Sequence, residues 1–191
     1  MQNSECRLFI GCMFSEKSTE ILRHVKRARI ADIPCLIIKY SGDTRYGSGS
    51  YITTHDGMTL NSGKNLRIVE AKNLSDVEVY EHELVIAIDE GQFYPDIVET
   101  VDRWMRLGKK IYISALDGDF RRKIFGKIGD LIPLCTHVVK LHAICMKCKQ
   151  KDASYTLRIV ESDKIELIGS QDKYMATCLK CYLELYEHNP N

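Results

Sequence analysis

The sequence predicts an α/β protein: a parallel sheet covered by helices on both faces, followed by a small zinc-ribbon-like lobe. Three observations carry that expectation. Apolar runs such as "CLIIKY", "LVIAI" and "KIYISAL" are separated by helical or polar stretches, which is how strands buried on both faces read. The earliest run ends in a glycine loop that opens a helix, "GCMFSEKSTE". Two CxxC pairs, Cys145 with Cys148 and Cys178 with Cys181, follow the last long apolar run.

In chain order, "RLFIG" (7–11) reads as a strand ended by glycine, and the stretch after the loop places Ile21, Val25 and Ala28 at helical spacing. Residues 35–40 form a second buried strand. Residues 41–57, rich in Gly, Ser and Thr, read as one long polar loop of the kind that is usually functional. "NLRIVE" is a further strand, Ser75 a candidate helix cap, and residues 84–88 the clearest buried strand, ending in Asp89 and Glu90. A helix is expected from Pro95 to Leu107, stopped by Gly108. Strands follow at 110–116 and 137–144. Beyond them "SYTLRIV" and "KIELIG" read as two short strands between the CxxC pairs, and the chain ends in a helical stretch. The division expected is therefore 1–144 for the α/β domain and 145–191 for the lobe.

Composition narrows the function classes. The 191 residues are 45% hydrophobic and 28% charged, ordinary for one globular domain with a small appendage. With 27 Lys+Arg against 26 Asp+Glu the net charge is +1, so bulk electrostatics asks for neither nucleic acid nor an anionic membrane. The start lacks the basic and apolar segments of a secretory signal, and no window approaches the roughly 18 apolar residues of a span. A cytoplasmic protein is expected. In such a reducing compartment eight cysteines, four of them in CxxC pairs, favour metal ligation over disulfides.

The loop resembles GxxxxGK[ST], in which backbone N–H groups and a helix N-terminus hold phosphate, the Lys adds a charge and the Ser hydroxyl meets Mg2+. Those roles fall to Gly11, Cys12, Met13, Phe14, Ser15, Glu16, Lys17, Ser18 and Thr19, led by Lys17 and Ser18. Glu16 stands where the pattern has glycine, which leaves a plain glycine turn before an amphipathic helix as the competing reading. Asp89 and Glu90 lie where open parallel sheets place ligand sites. Asp89 suits Mg2+, and Glu90 can take a proton from a hydroxyl; a solvated strand end is the alternative. Four thiolates from two CxxC knuckles, 29 residues apart, suit closed tetrahedral Zn2+. Two redox pairs are the alternative, without the βαβ context they require. His137 and His142 read as strand residues.

Taken in order, the phosphate loop, "DTRYGSG", "DEGQF", "ALDGDF" and a four-cysteine lobe with "IGSQDKY" resemble the thymidine kinases found in animal cells, poxviruses and many bacteria. The resemblance covers nearly the whole chain. It implies a phosphate-loop kinase core, a zinc lobe whose loop covers the substrate, and transfer of the ATP γ-phosphoryl group to the 5′-hydroxyl of thymidine, with deoxyuridine as a second acceptor. Glu90 is then the base, Asp89 and Ser18 the Mg2+ side, and Arg45 neutralises charge on the transferring group. Met13, Phe93, Leu116, Phe120 and Phe125 correspond to apolar walls around the base, and Ile165, Leu167, Gly169 and Tyr174 to the thymidine-facing segment. The resemblance also implies dTTP as feedback ligand and a homotetramer.

The family writes the loop "GPMFSGKST". Cys12 for Pro is a mild departure, and Asp119 stands where members carry Thr or Asp. Glu16 is the departure that matters. At about 4 Å from a phosphate, with an effective dielectric near 20, one like-charge pair costs on the order of 4 kcal/mol, and a side chain strains the backbone if φ is positive there. Weak or lost ATP binding on an intact fold is therefore expected, and the competing function is a non-catalytic protein that binds thymidine or dTTP without turnover. A nucleic-acid-binding ribbon is disfavoured by the balanced charge.

Overall fold

The computed structural model describes residues 4–42, 50–54, 57–162, 164–165, 167 and 169–188. In chain order its elements are β1 (Glu5–Gly11), α1 (Lys17–Ile30), β2 (Cys35–Tyr40), β3 (Tyr51–Thr53), β4 (Thr59–Asn61), β5 (Leu66–Ala71), β6 (Val85–Ile88), α2 (Ile97–Arg106), β7 (Lys110–Leu116), α3 (Ile128–Leu131), β8 (His137–Leu141), β9 (Ala143–Ile144), β10 (Asp152–Ala153), β11 (Tyr155–Arg158), β12 (Tyr174–Thr177) and α4 (Leu179–His188).

Six strands form the central sheet in the order β5-β2-β6-β7-β1-β8, and every pairing in it is parallel. Alternation along the strands divides the core in two. Cys6, Leu8, Ile10, Leu36, Ile38, Ile86, Ile88, Ile111 and Ile113 point to the side packed by α2 and α3. Phe9, Ile37, Val85, Ala87 and Tyr112 point to the side where α1 presents Ile21, Leu22 and Val25. The buried residues of α2, Ile97, Thr100, Val101 and Trp104, recur at helical spacing, and Gly108 just beyond has φ +80°, the left-handed stop glycine favours.

Strand order sets the site. From β1 the chain crosses β7 and β6 to reach β2, whereas β7 connects to β8 on the other side of β1. Connections that leave in opposite directions open a crevice at the carboxyl ends of β1, β6 and β7. The glycine loop follows β1, and Asp89 and Glu90 follow β6.

Four expectations are corrected. The 41–57 loop contains β3, which pairs with β4 in an antiparallel hairpin (Ile52 opposite Leu60); both apolar residues are buried, but one per strand is too little alternation to read. Ser75 caps no helix; it lies inside a short 3-10 turn, Leu74–Asp76, and the N–H groups of Leu74 and Ser75 donate to the distant Asp96 carboxylate at 3.0 and 2.7 Å. The run 137–144 is not one strand. β8 ends where its partner β1 ends, at Gly11 opposite Leu141, and β9 turns away to pair with β10. "KIELIG" supplies no strand among its described residues; the partner of β11 is β12.

The C-terminal lobe is built differently from the sheet. Two two-stranded ribbons, β9/β10 and β11/β12, and α4 surround a cluster made of Ala143, Ala153, Ala176, Cys145, Cys178, Cys181 and, from the phosphate loop, Cys12. Among the described residues no helix is long and apolar enough to cross a membrane.

Candidate active site

The loop between β1 and α1 is held from both sides. Gly11 has φ +150°, and a Cβ there would lie 2.3 Å from the Leu141 carbonyl oxygen, so only glycine lets β1 end against β8. Phe14 and Glu16 have φ of 65° and 60°, and such left-handed residues in a turn bring N–H groups into an anion-binding nest. Ser15 Oγ donates to the Cys12 carbonyl at 2.8 Å, and Lys17 Nζ donates to the same oxygen at 2.6 Å. Burial lowers the Lys17 pKa, opposed by Glu90, Cys12, Asp117 and Asp89. Glu16 is exposed and occupies the N-cap of α1 in left-handed conformation, a state that costs a non-glycine residue roughly 1–3 kcal/mol.

The lobe reaches into this loop. Met13 N–H donates to Thr156 Oγ1 at 3.0 Å, and the Cys12 thiol donates to the Ala153 carbonyl at 3.3 Å. Tyr182 Oη, from α4, donates to the Phe120 carbonyl at 2.8 Å. All three contacts tie β10, β11 or α4 to loops at the carboxyl edge of the sheet.

Both carboxylates at the end of β6 are positioned by neighbours. Ser18 Oγ donates to Asp89 Oδ1 at 2.7 Å, as does Ser114 Oγ from β7, so Asp89 lies beside the first turn of α1. Glu90 has φ 55°. Its Oε2 accepts from Gln92 Nε2 at 2.6 Å, while Gln92 Oε1 accepts the Leu116 N–H at 2.9 Å. Gly126 fits closely behind Gln92: a Cβ there would lie 2.2 Å from the Gln92 carbonyl oxygen.

These groups line a cavity of about 320 Å3. Met13, Phe14, Ser15, Glu16, Lys17, Ser18, Thr19, Asp89 and Glu90 line it from the glycine loop and the end of β6, and Phe93, Leu116, Phe120, Phe125, Ile165, Leu167, Gly169 and Tyr174 are among the other lining residues. The rings of Phe93 and Phe125 meet edge to face at 5.4 Å, and Tyr40 stacks on Phe93 at 4.7 Å. Gly11 and Cys12 support the loop without lining the cavity. Arg45 lies outside the described residues. A second cavity, about 570 Å3, lies along the other side of the loop, lined by Phe14, Glu16, Thr19, His142, Ile144 and Met146 among others.

Sequence reasoning did not find Gln92, Ser114, Thr156 or Arg158. Gln92 was legible within "DEGQF", as a polar residue two positions after a candidate base. The other three sit in strands, where only the tertiary fold shows which hydroxyl or guanidinium faces the site.

The sulfurs of Cys145, Cys148, Cys178 and Cys181 all lie within 4.8 Å of one another, and three of the four residues are buried. Tetrahedral Zn2+ with Zn–S near 2.3 Å separates its sulfurs by roughly 3.8 Å, so this group could hold a structural zinc ion with small adjustments. His137 and His142 take no part in it. His137 Nδ1 is 3.2 Å from Thr136 Oγ1 and His142 Nδ1 is 3.0 Å from Ser154 Oγ.

A parallel sheet with a lysine-bearing glycine loop after one strand, an acid pair after another and a partly open cavity of mixed polar and apolar lining shared by both has the layout of an α/β kinase of small molecules. Residues 4–182 match the family model described as thymidine kinase. The thymidine kinase of variola virus is 49% identical over 185 residues, 96% of this chain and 99% of the relative. That of vaccinia virus (strain Western Reserve) is 48% identical, with the same coverage, and that of myxoma virus (strain Lausanne) is 46% identical over 183 residues, 95% and 98% of the two chains. The chain belongs to the thymidine kinase family.

Proposed function

We propose that the cavity binds thymidine and that the chain's machinery transfers the γ-phosphoryl group of ATP to its 5′-hydroxyl. One observation carries this reading: Glu90, oriented by Gln92, opens onto the same cavity as the Lys17 loop and the apolar walls. Glu90 accepts the hydroxyl proton as the oxygen forms its bond to the γ-phosphorus and the bond to ADP breaks. Lys17 carries positive charge to the transferring group, with Arg45 as its partner from the 43–49 segment. Phosphoryl transfer asks little covalent work of a protein, so position and charge do most of it. Mg2+ arriving with ATP neutralises phosphate charge, and Ser18 and Asp89 are the groups suited to hold it.

Met13, Phe93, Leu116, Phe120 and Phe125 form a flat apolar slot for the methylated pyrimidine, covered by Ile165, Leu167, Gly169 and Tyr174. The second cavity shares Phe14, Ser15, Glu16 and Thr19 with the first, and in this reading it accommodates the nucleoside end of ATP. In this reading 1–144 supplies the donor site and the base, and 145–191 supplies the cover on a zinc-held frame. Feedback by dTTP follows if the triphosphate places its base in the slot and its phosphates on the loop. Assembly as a homotetramer in the cytoplasm completes the reading.

Glu16 favours a second reading. Its exposed carboxylate lines both cavities, so it opposes phosphate on either side, and a chain that binds thymidine with little turnover results. Steady-state assays with Mg-ATP and thymidine on this chain and on Glu16→Gly separate the two. Glu16→Gly is expected to lower the KM for ATP by up to about a thousandfold. Thymidine binding by calorimetry with no phosphorylation in Glu16→Gly would establish the non-catalytic reading instead.

A further inference from the structure

The segment between β11 and β12 is gathered onto one buried side chain. Arg158, the last residue of β11, is 4% exposed. Its Nη1 donates to the carbonyls of Ser162 and Lys164 at 3.0 and 2.5 Å. Its Nη2 donates to the Ile165 carbonyl at 2.9 Å and to Tyr174 Oη at 3.1 Å. Tyr174 is the cross-strand partner of Arg158, and its hydroxyl donates to the Leu167 carbonyl at 2.7 Å. Two facing side chains thus take up four main-chain acceptors, those of Ser162, Lys164, Ile165 and Leu167. The face of the guanidinium is packed as well, 3.8 Å from the centroid of Phe120, a cavity wall.

We propose that Arg158 is a positioning residue for the nucleoside: it holds Ser162, Lys164 and Ile165 in their receiving arrangement and aligns them with Phe120 before the nucleoside enters. A planar fork suits the task. Its two terminal nitrogens reach several carbonyls at once, and desolvation strengthens each charge-assisted bond, which a lysine ammonium cannot reproduce from one point. Ile165 and Leu167 line the cavity, so the fraction of molecules with the segment in place multiplies nucleoside affinity directly. None of these bonds involves a residue of the glycine loop, so the donor side is expected to respond least to their loss.

The inference rests on the cavity being the thymidine site, and two measurements keep the two apart. Hydrogen exchange on the ligand-free full chain is expected to show faster exchange over 159–173 in Arg158→Met, with the four-cysteine knuckles and the central sheet unchanged. Unchanged exchange over 159–173 would overturn the assignment whatever thymidine does. Calorimetry is then expected to show thymidine affinity weakened roughly ten- to a hundredfold, partly restored in Arg158→Lys. On the Glu16→Gly background the thymidine KM rises while kcat and the ATP KM hold. A parallel fall of kcat with no change in thymidine KM, or equal affinity in Arg158→Met, would overturn it. Failure of the unsubstituted chain to bind thymidine would refute the site reading alone, since the exchange result judges the placement of the segment by itself.

Discussion

The sheet domain and the cysteine lobe solve the same problem by different means. In the sheet, alternate residues of parallel strands fill two large apolar layers, and side chains such as Leu8, Leu36, Ile38 and Ile86 are fully buried. In the lobe the buried cluster around the thiols consists of alanines and cysteines, and beside it Leu157, Tyr174 and Tyr182 are the large buried side chains, a much smaller apolar area than the sheet's. The four thiols could hold a metal ion, and such a cross-link would add stability that this small cluster lacks. The difference bears on the proposed site: the acid pair and glycine loop stand on the sheet with its large core, while Ile165, Leu167, Gly169 and Tyr174, the proposed cover, stand on the lobe.

Three substitutions sharpen that contrast, from the largest effect to the smallest. Glu90→Gln on the Glu16→Gly background removes the proposed base and is expected to leave both parts folded; turnover is expected to fall by roughly 10^2–10^4-fold with an unchanged melting temperature, and near-normal turnover would remove Glu90 from its role. Thr156→Val breaks the seam, leaving the Met13 N–H unpaired in a buried place at a cost of about 1–3 kcal/mol. Thermal unfolding should show that loss, and faster exchange of the Met13 amide should locate it.

The smallest effect belongs to the sheet domain alone and depends on pH. Burial by itself raises the Glu83 pKa, but bonds from Arg67 and the Tyr80 N–H outweigh it and leave the carboxyl below its usual value of 4.5. The pair is close, with Arg67 Nε 2.7 Å from Glu83 Oε1. A depressed carboxyl pKa contributes stability above the unfolded value, lost as pH falls through the folded one. Unfolding free energy should therefore decline as pH drops below about 4.5, and Glu83→Gln, which keeps one acceptor for Arg67, should flatten that decline while lowering stability at pH 7 by roughly 0.5–1 kcal/mol.

The same contrast explains what could be read from the sequence. Long apolar strands announce themselves because burial on both faces leaves no polar positions, so β1, β2, β6 and β7 were legible, as were α1, α2 and the four-cysteine group. Short elements were not. β3 and β4 contribute one buried residue each, and the segment read as a strand at "KIELIG" has its carbonyls claimed by Arg158 and Tyr174, a tertiary effect no local pattern records. Motifs located the loop and the acid pair, while their supports, Gln92, Ser114 and Thr156, were visible only once strands met. Glu16 was anomalous from the start, and its left-handed backbone gives the anomaly a physical form.

Removing metal from the full chain tests the division most directly. Purified protein is expected to carry about one Zn2+ per chain. Stripping it with a strong chelator should abolish thymidine binding by calorimetry while the cooperative unfolding and far-ultraviolet signal of the parallel sheet persist, and restoring Zn2+ should restore binding. Thymidine affinity that survives the loss of all bound zinc would contradict the account.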